Sequence, residues 1–214
     1  MNSNKNKETK TRFILYTIAF LSGFSLMGYE ILGSRVLAPH FGSSVYVWGG
    51  LIAVFMLGLS IGYSVGGQLA DKHNSCIELG CIILCSAVFI FPASFYGKLI
   101  CASISALPID IKYSALIASA VLFTVPCICM GIISPYLVKL SVNRQQEIGK
   151  KVGNIYAAST IGSIFGTLFV SFYLIGLVGT NKGIQLLCIP LIICGILSLI
   201  YPLFKDNALL NKNS

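Results

Sequence analysis

Six runs of mostly apolar residues, each about twenty residues long, alternate with short polar segments and constrain this chain more than any other feature. They fall at roughly Phe13–Gly33, Val45–Gly67, Cys76–Gly97, Tyr113–Val138, Val152–Leu174 and Ile184–Phe204. Wound as a helix, a run of that length crosses the hydrocarbon core of a bilayer. A soluble fold fails on charge: 10% of the 214 residues are Asp, Glu, Lys or Arg, against about 25% in an ordinary soluble domain. Too little polar surface exists to coat a globule. The expectation is an all-α integral membrane bundle of six helices. Residues 1–12 form a basic tail, 13–204 the membrane domain and 205–214 a second tail. The first run exceeds the apolar core of a signal peptide and is read as a retained helix.

Orientation follows from the basic residues. Starting inside, the inner segments hold eleven of the fifteen Lys and Arg residues, and the outer ones only Arg35, Lys98, Lys112 and Lys182. That bias predicts both termini in the cytoplasm. The formal net charge of +8 is thus a topology signal. Nucleic-acid binding is not expected, because no basic and aromatic cluster lies outside the runs. The segment Lys98–Lys112 has an apolar core too short to span. It is expected as an interfacial or re-entrant piece, or as an extension of the third helix.

Within the runs, small residues recur at helical spacing. Gly58, Gly62 and Gly66 stand four apart on one face of the second run, and Ala158, Gly162 and Gly166 repeat the device in the fifth. In lipid such faces let backbones approach closely, so both helices are expected at the centre of the bundle. Pro126, Pro135 and Pro190 are expected to serve packing, with bending as the alternative. The eight cysteines lie in or at the edges of the runs and lack the C-x-x-C spacing of a zinc or redox site. They are read as small buried apolar residues, and no metal or cofactor is expected.

Ionisable residues near spans ask for a partner. Glu30 and Arg35 are the foremost candidates for an intramembrane or substrate site. Five residues along a helix turn the chain by about 140°. If the first helix continues past Gly33, Glu30 must therefore look to another helix, to a protonated form or to water. If it breaks there, the two can pair. Glu30 reads equally as a packing anchor and as a cavity carboxylate for a cation or proton. Arg35 can snorkel to headgroups, His40 sits in the outer loop, and Glu78 meets the positive end of the third helix. No Ser/His/Asp set or His–carboxylate cluster stands at one depth, so no catalytic residue is assigned.

The stretch "GGQLADK", Gly66 to Lys72, resembles the inner-loop signature of major facilitator transporters. Asn74 and Ser75 stand where that signature continues with Gly and a basic residue. The resemblance implies a signature at Gly67, Asp71 and Lys72. Its glycine permits close helix approach, and its aspartate meets a helix dipole and a basic partner. The implied fold is half of a facilitator bundle. More narrowly, Ser22-Gly23, Tyr29-Glu30, Arg35, Leu37-Ala38, Phe41 to Ser44, and Leu57-Gly58-Leu59 with Gly62, Gly66-Gly67 and Asp71 resemble the membrane part of bacterial spermidine-synthase-like membrane proteins. Met130-Gly131 with Pro135, and Gly153, Tyr156-Ala157, Thr160, Gly162 and Gly166, extend the likeness, with Ser159 in place of a more usual Asn.

In that family a facilitator-like bundle is fused to an aminopropyltransferase, whose glycine-rich cofactor turn should follow a strand and open a helix. No such turn is found here, and ten residues follow Phe204. The resemblance therefore implies a non-catalytic membrane subunit in the bacterial cytoplasmic membrane, serving a separate soluble aminopropyltransferase through the Lys139–Lys151 loop. The alternative is a half-size transporter acting as a homodimer on a small solute such as a polyamine, with Glu30 as its binding charge. A purely structural membrane domain is the third reading.

Overall fold

The computed structural model describes the backbone of residues 2–73, 75–141 and 148–210, and the side chains of 13–73, 75–141 and 148–200. Among the described residues every element is helical, as lipid requires of a chain that must satisfy its own backbone polar groups. The order is α1 (Asn2–Phe41), α2 (Val45–His73), α3 (Cys76–Ile90), α4 (Ala93–Ser105), α5 (Ile111–Ser141), α6 (Ile148–Phe169), a π-turn at Val170–Leu174, and α7 (Ile175–Leu210). Phe13–Phe41, Val45–His73, Ile111–Ser141 and Ile148–Ile200 are each long and apolar enough to cross a membrane. The pair α3–α4, bent by 49°, makes a fifth such element.

The longest of these is two crossings. Gly179 has φ 74° and ψ 177°, a conformation open essentially to glycine alone. Neighbours along α1 show the chain reversing there. Before Gly179 the partners ascend together: Asn154 meets Tyr16, Gly162 meets Phe20 and Gly166 meets Phe24. After it they descend, with Gly183 on Leu32 and Leu187 on Gly28, then Cys194 on Ile18. The bent pair α3–α4 keeps one direction. Against α7, Gly80 faces Leu199, Cys188 faces Ala87 and Gln185 faces Ser94, a single direction maintained through the bend. Segment 98–105 is therefore an extension of the third crossing and not a re-entrant piece. The break follows from Pro92, which cannot donate a backbone hydrogen bond one turn back. The Nε2 of Gln185 secures it by donating to Ser94 Oγ at 3.3 Å.

The result is six crossings with both termini at one end, called here the near end. A regularity links them. The first crossing packs on the fifth and sixth, the fourth on the second and third, and the third on the sixth. Moving every crossing on by three exchanges these pairs among themselves. Because the first and fourth crossings run in opposite directions, the bundle is an inverted repeat of three helices.

Glycines make the two equivalent contacts. On α2, a methyl group at Gly58 would lie 2.7 Å from Cys127 Cβ, and one at Gly66 would lie 2.7 Å from Ile132 Cα. On α6, Gly162 and Gly166 rest on the carbonyls of Phe20 and Phe24, while Gly23 of α1 rests on that of Ser159. The expectation that the glycine-striped helices are central is corrected here. Of its most apolar window, α2 buries 33% and α5 buries 56%. The stripe buries only the face it lies on, so α2 and α6 clamp from outside onto α5 and α1. At the heart, Tyr29, Phe55 and Phe123 form a trio with ring centroids 5.4–5.8 Å apart, joining α1, α2 and α5. At the far end Asp110 caps α5, accepting the Lys112 N–H at 3.1 Å. That bond and the Lys112 ammonium hold its exposed carboxyl below the usual carboxylate range.

Adjacent glycines on α2 separate close approach from helix propensity. Gly66→Ala should lower stability by about 1–3 kcal/mol through forced backbone movement. Gly67→Ala, whose added methyl meets nothing within 4 Å, should be neutral or stabilising by up to about 1 kcal/mol. Unfolding titrations in mild detergent read both; equal losses would remove the close-approach account.

Candidate functional site

The four helices joined by the glycine contacts leave a cavity of about 150 Å³ between them. Ser22, Gly23 and Leu26 of α1 line it, with Leu59 and Tyr63 of α2, Met130 and Ser134 of α5, and Tyr156, Ser159, Thr160 and Ser163 of α6. Seven of these eleven carry a hydroxyl. Two hydroxyls are spent on backbone: Ser22 Oγ donates to Ala19 O at 2.9 Å and Ser163 Oγ to Gly23 O at 3.2 Å. Those of Tyr63, Ser134, Tyr156, Ser159 and Thr160 make no hydrogen bond with a described residue. On α6 the cause is spacing, because Tyr156, Ser159, Thr160 and Ser163 recur at three and four residues and so share one side of the helix.

Glu30 stands above this cavity. It lies seven residues after Gly23 and four after Leu26, on the same side of α1 and about 6 Å beyond Leu26 toward the far end. It is part-buried and makes no hydrogen bond or ion pair with a described residue. Helix α1 runs through Gly33 to Phe41 without a break, so Glu30 and Arg35 point in different directions and do not pair. Continuity also moves His40 from an outer loop into the last turn of α1, where it is part-buried and its Nδ1 has no partner.

Arg35 is exposed and lines a separate cavity of about 290 Å³ with Ser34, Ala38, Gly42, Ser43, Val47, Trp48 and Leu51. Among the described residues, no cluster of three or more His, Cys, Asp or Glu side chains is placed to hold a metal.

The signature residues gather at the near end. Asp71 pairs with Lys139 at 2.5 Å, linking the ends of α2 and α5. Beside it, Tyr136 Oη donates to Glu78 Oε2 at 3.0 Å and accepts the Ser75 N–H at 3.3 Å. His73 Nδ1 lies 3.1 Å from Glu78 Oε1. Lys72 is exposed. Gly67 has open space where a Cβ would stand, and the close approach belongs to Gly66. The partner surface expected on the Lys139–Lys151 loop lies partly outside the described residues, which omit 142–147.

Sequence reasoning missed Tyr63 and Ser134 as cavity residues, and Tyr136 and His73 as partners of Glu78. The hydroxyl spacing on α6 is a signal that a search for polar stripes would find. The Tyr136–Glu78 contact joins residues 58 positions apart and leaves no local trace.

The fold and its polar interior define a polytopic α-helical membrane protein. Compared with known proteins, the chain matches no family model, no curated protein and no solved structure.

At the near end burial decides which contact matters. Tyr136→Phe removes the hydroxyl of a fully buried ring, leaves the Ser75 N–H without its acceptor and the Glu78 carboxylate without this donor, and should cost about 1–3 kcal/mol. Asp71→Asn breaks a pair whose side chains are 69% and 45% exposed, and should cost under about 1 kcal/mol. Detergent unfolding midpoints of both variants check this order; the reverse order would contradict it.

Proposed function

We propose that this chain is a half-size carrier of the bacterial cytoplasmic membrane, with cytoplasmic termini, working as a homodimer on a small organic cation of the polyamine type. One observation carries the reading: an unpaired carboxylate and a set of uncommitted hydroxyls open on one side of a bundle made for lipid. Tyr63 and Tyr156 remain 42% and 47% exposed there. Against hydrocarbon, Glu30 alone would cost at least about 2.5 kcal/mol. A face of this kind requires a polar partner or water.

A second copy offers the same face through a two-fold axis and encloses a polar chamber at the depth where carriers with inverted repeats place their sites. Two Glu30 carboxylates and four tyrosine rings would line it. Carboxylates pair with ammonium groups, and tyrosine faces attract them further. None of the residues lining the cavity is basic, which also favours a cation. The glycine contacts support movement, because smooth backbone faces allow α2 and α6 to shift against α5 and α1.

Uptake of labelled spermidine into vesicles holding the purified protein tests this. Wild type should accumulate it, and Glu30→Gln should lose at least about tenfold in rate at an unchanged unfolding midpoint. Uptake unaffected by Glu30→Gln would remove the assigned charge. Absent uptake together with a stoichiometric soluble aminopropyltransferase in gently extracted membranes would establish the platform reading instead.

A further inference from the structure

The far-end cavity has the opposite chemistry from the hydroxyl-lined one, and its reading does not depend on the carrier proposal. Its volume is about 290 Å³. It lies where α1 gives way at Gly42, with φ 77°, to the short turn into α2, and residues of both helix ends line it. Arg35 lines one wall, and its guanidinium makes no ion pair or hydrogen bond with a described residue. By contrast Lys112, also at the far end, is held by Asp110 at 3.3 Å and by the ring of Tyr113.

Donors dominate the cavity. Arg35 brings five N–H groups in a planar fork, Ser43 a hydroxyl and Trp48 an indole N–H. No carboxylate lines it. The Ser34 hydroxyl is already spent on Ile31 O at 2.7 Å. The first turn of α2 borders the same space and adds the positive end of its dipole. A guanidinium fork matches two oxygens of a tetrahedral anion better than any point charge does. Trp48 lies in the first turn of the apolar span Val45–His73, and indole rings at span ends favour the headgroup layer.

We propose that this cavity binds a phosphate-type oxyanion through Arg35. The oxyanion is either the phosphodiester of an anionic lipid in the adjoining leaflet or a free phosphate group. Both sources present the same oxygens to the fork, and they differ in whether acyl chains lie against the outer flank of α1 and α2.

Trp48 is the only tryptophan of the chain, so its fluorescence reports on the site directly. The full-length protein in mild detergent is titrated with short-chain phosphatidylglycerol, with inorganic phosphate, and with short-chain diacylglycerol as a control lacking phosphate. A saturable change with phosphatidylglycerol alone supports the proposal and assigns a lipid. A saturable change with inorganic phosphate supports it and assigns a free oxyanion. In either case Arg35→Gln should weaken the response about tenfold or more. Arg35→Lys should recover part of it, and Lys98→Gln, which removes a far-end charge outside the cavity, should leave it unchanged. Ala38→Leu fills the cavity without changing its charge and should weaken binding as Arg35→Gln does. The proposal is overturned if neither phosphate probe gives a saturable change, if diacylglycerol gives the same one, or if the response survives both Arg35→Gln and Ala38→Leu.

Discussion

Lipid tails are as apolar as leucine, so close packing and interhelical hydrogen bonds, and not the hydrophobic effect, hold helices together inside a membrane. In this bundle contact means backbone on backbone. Gly58, Gly62 and Gly66 set α2 against α5, and Gly23, Gly162 and Gly166 set α1 against α6. At these places a single methyl group would collide with a facing carbonyl, thiol carbon or α-carbon. The two contacts are equivalent under the inverted repeat, so the same device is used twice in opposite directions. The remaining architecture is arranged around them, with the third and sixth crossings packed on each other and on the central α1 and α5.

Close approach along one line leaves space beside it. Where α1, α2, α5 and α6 converge, the side chains next to the glycines are hydroxyl-bearing and do not fill the gap. Glu30 continues that polar line along α1, beside the aromatic trio that closes the interior. Packing and the polar site therefore have one origin: small residues that permit approach alternate with polar residues that the approach leaves uncovered. At the far end, where α1 turns into α2, lies a second space of opposite charge preference around Arg35.

Much of this was legible in the sequence. Apolar runs reveal crossings because hydrocarbon thickness sets their length, and the glycine stripes are visible as four-residue repeats. The break in the third crossing at Pro92, inside the run Cys76–Gly97, was not read from the sequence, because a proline within an apolar run looks the same whether the helix bends there or not. The stripes do not say which partner they meet or how much of the other faces is covered, so the peripheral place of α2 and α6 was not legible. Continuity of α1 through Gly33 decides whether Glu30 can reach Arg35. Gly33 packs against the Phe123 ring, 3.1 Å from where a methyl group would stand, a contact that no local pattern reveals. The hydroxyl cavity needs the relative rotation of four helices, which no single segment encodes.

The proposed carrier role rests on the uncovered polar face meeting a second copy. The direct measurement is photo-cross-linking in native membranes from a benzophenone side chain placed at Tyr156, on that face, or at Phe172, which is 74% exposed on the π-turn of the fifth crossing. A chain-to-chain adduct from position 156, with only lipid adducts from position 172, is the predicted result. Lipid adducts alone from both positions would contradict it.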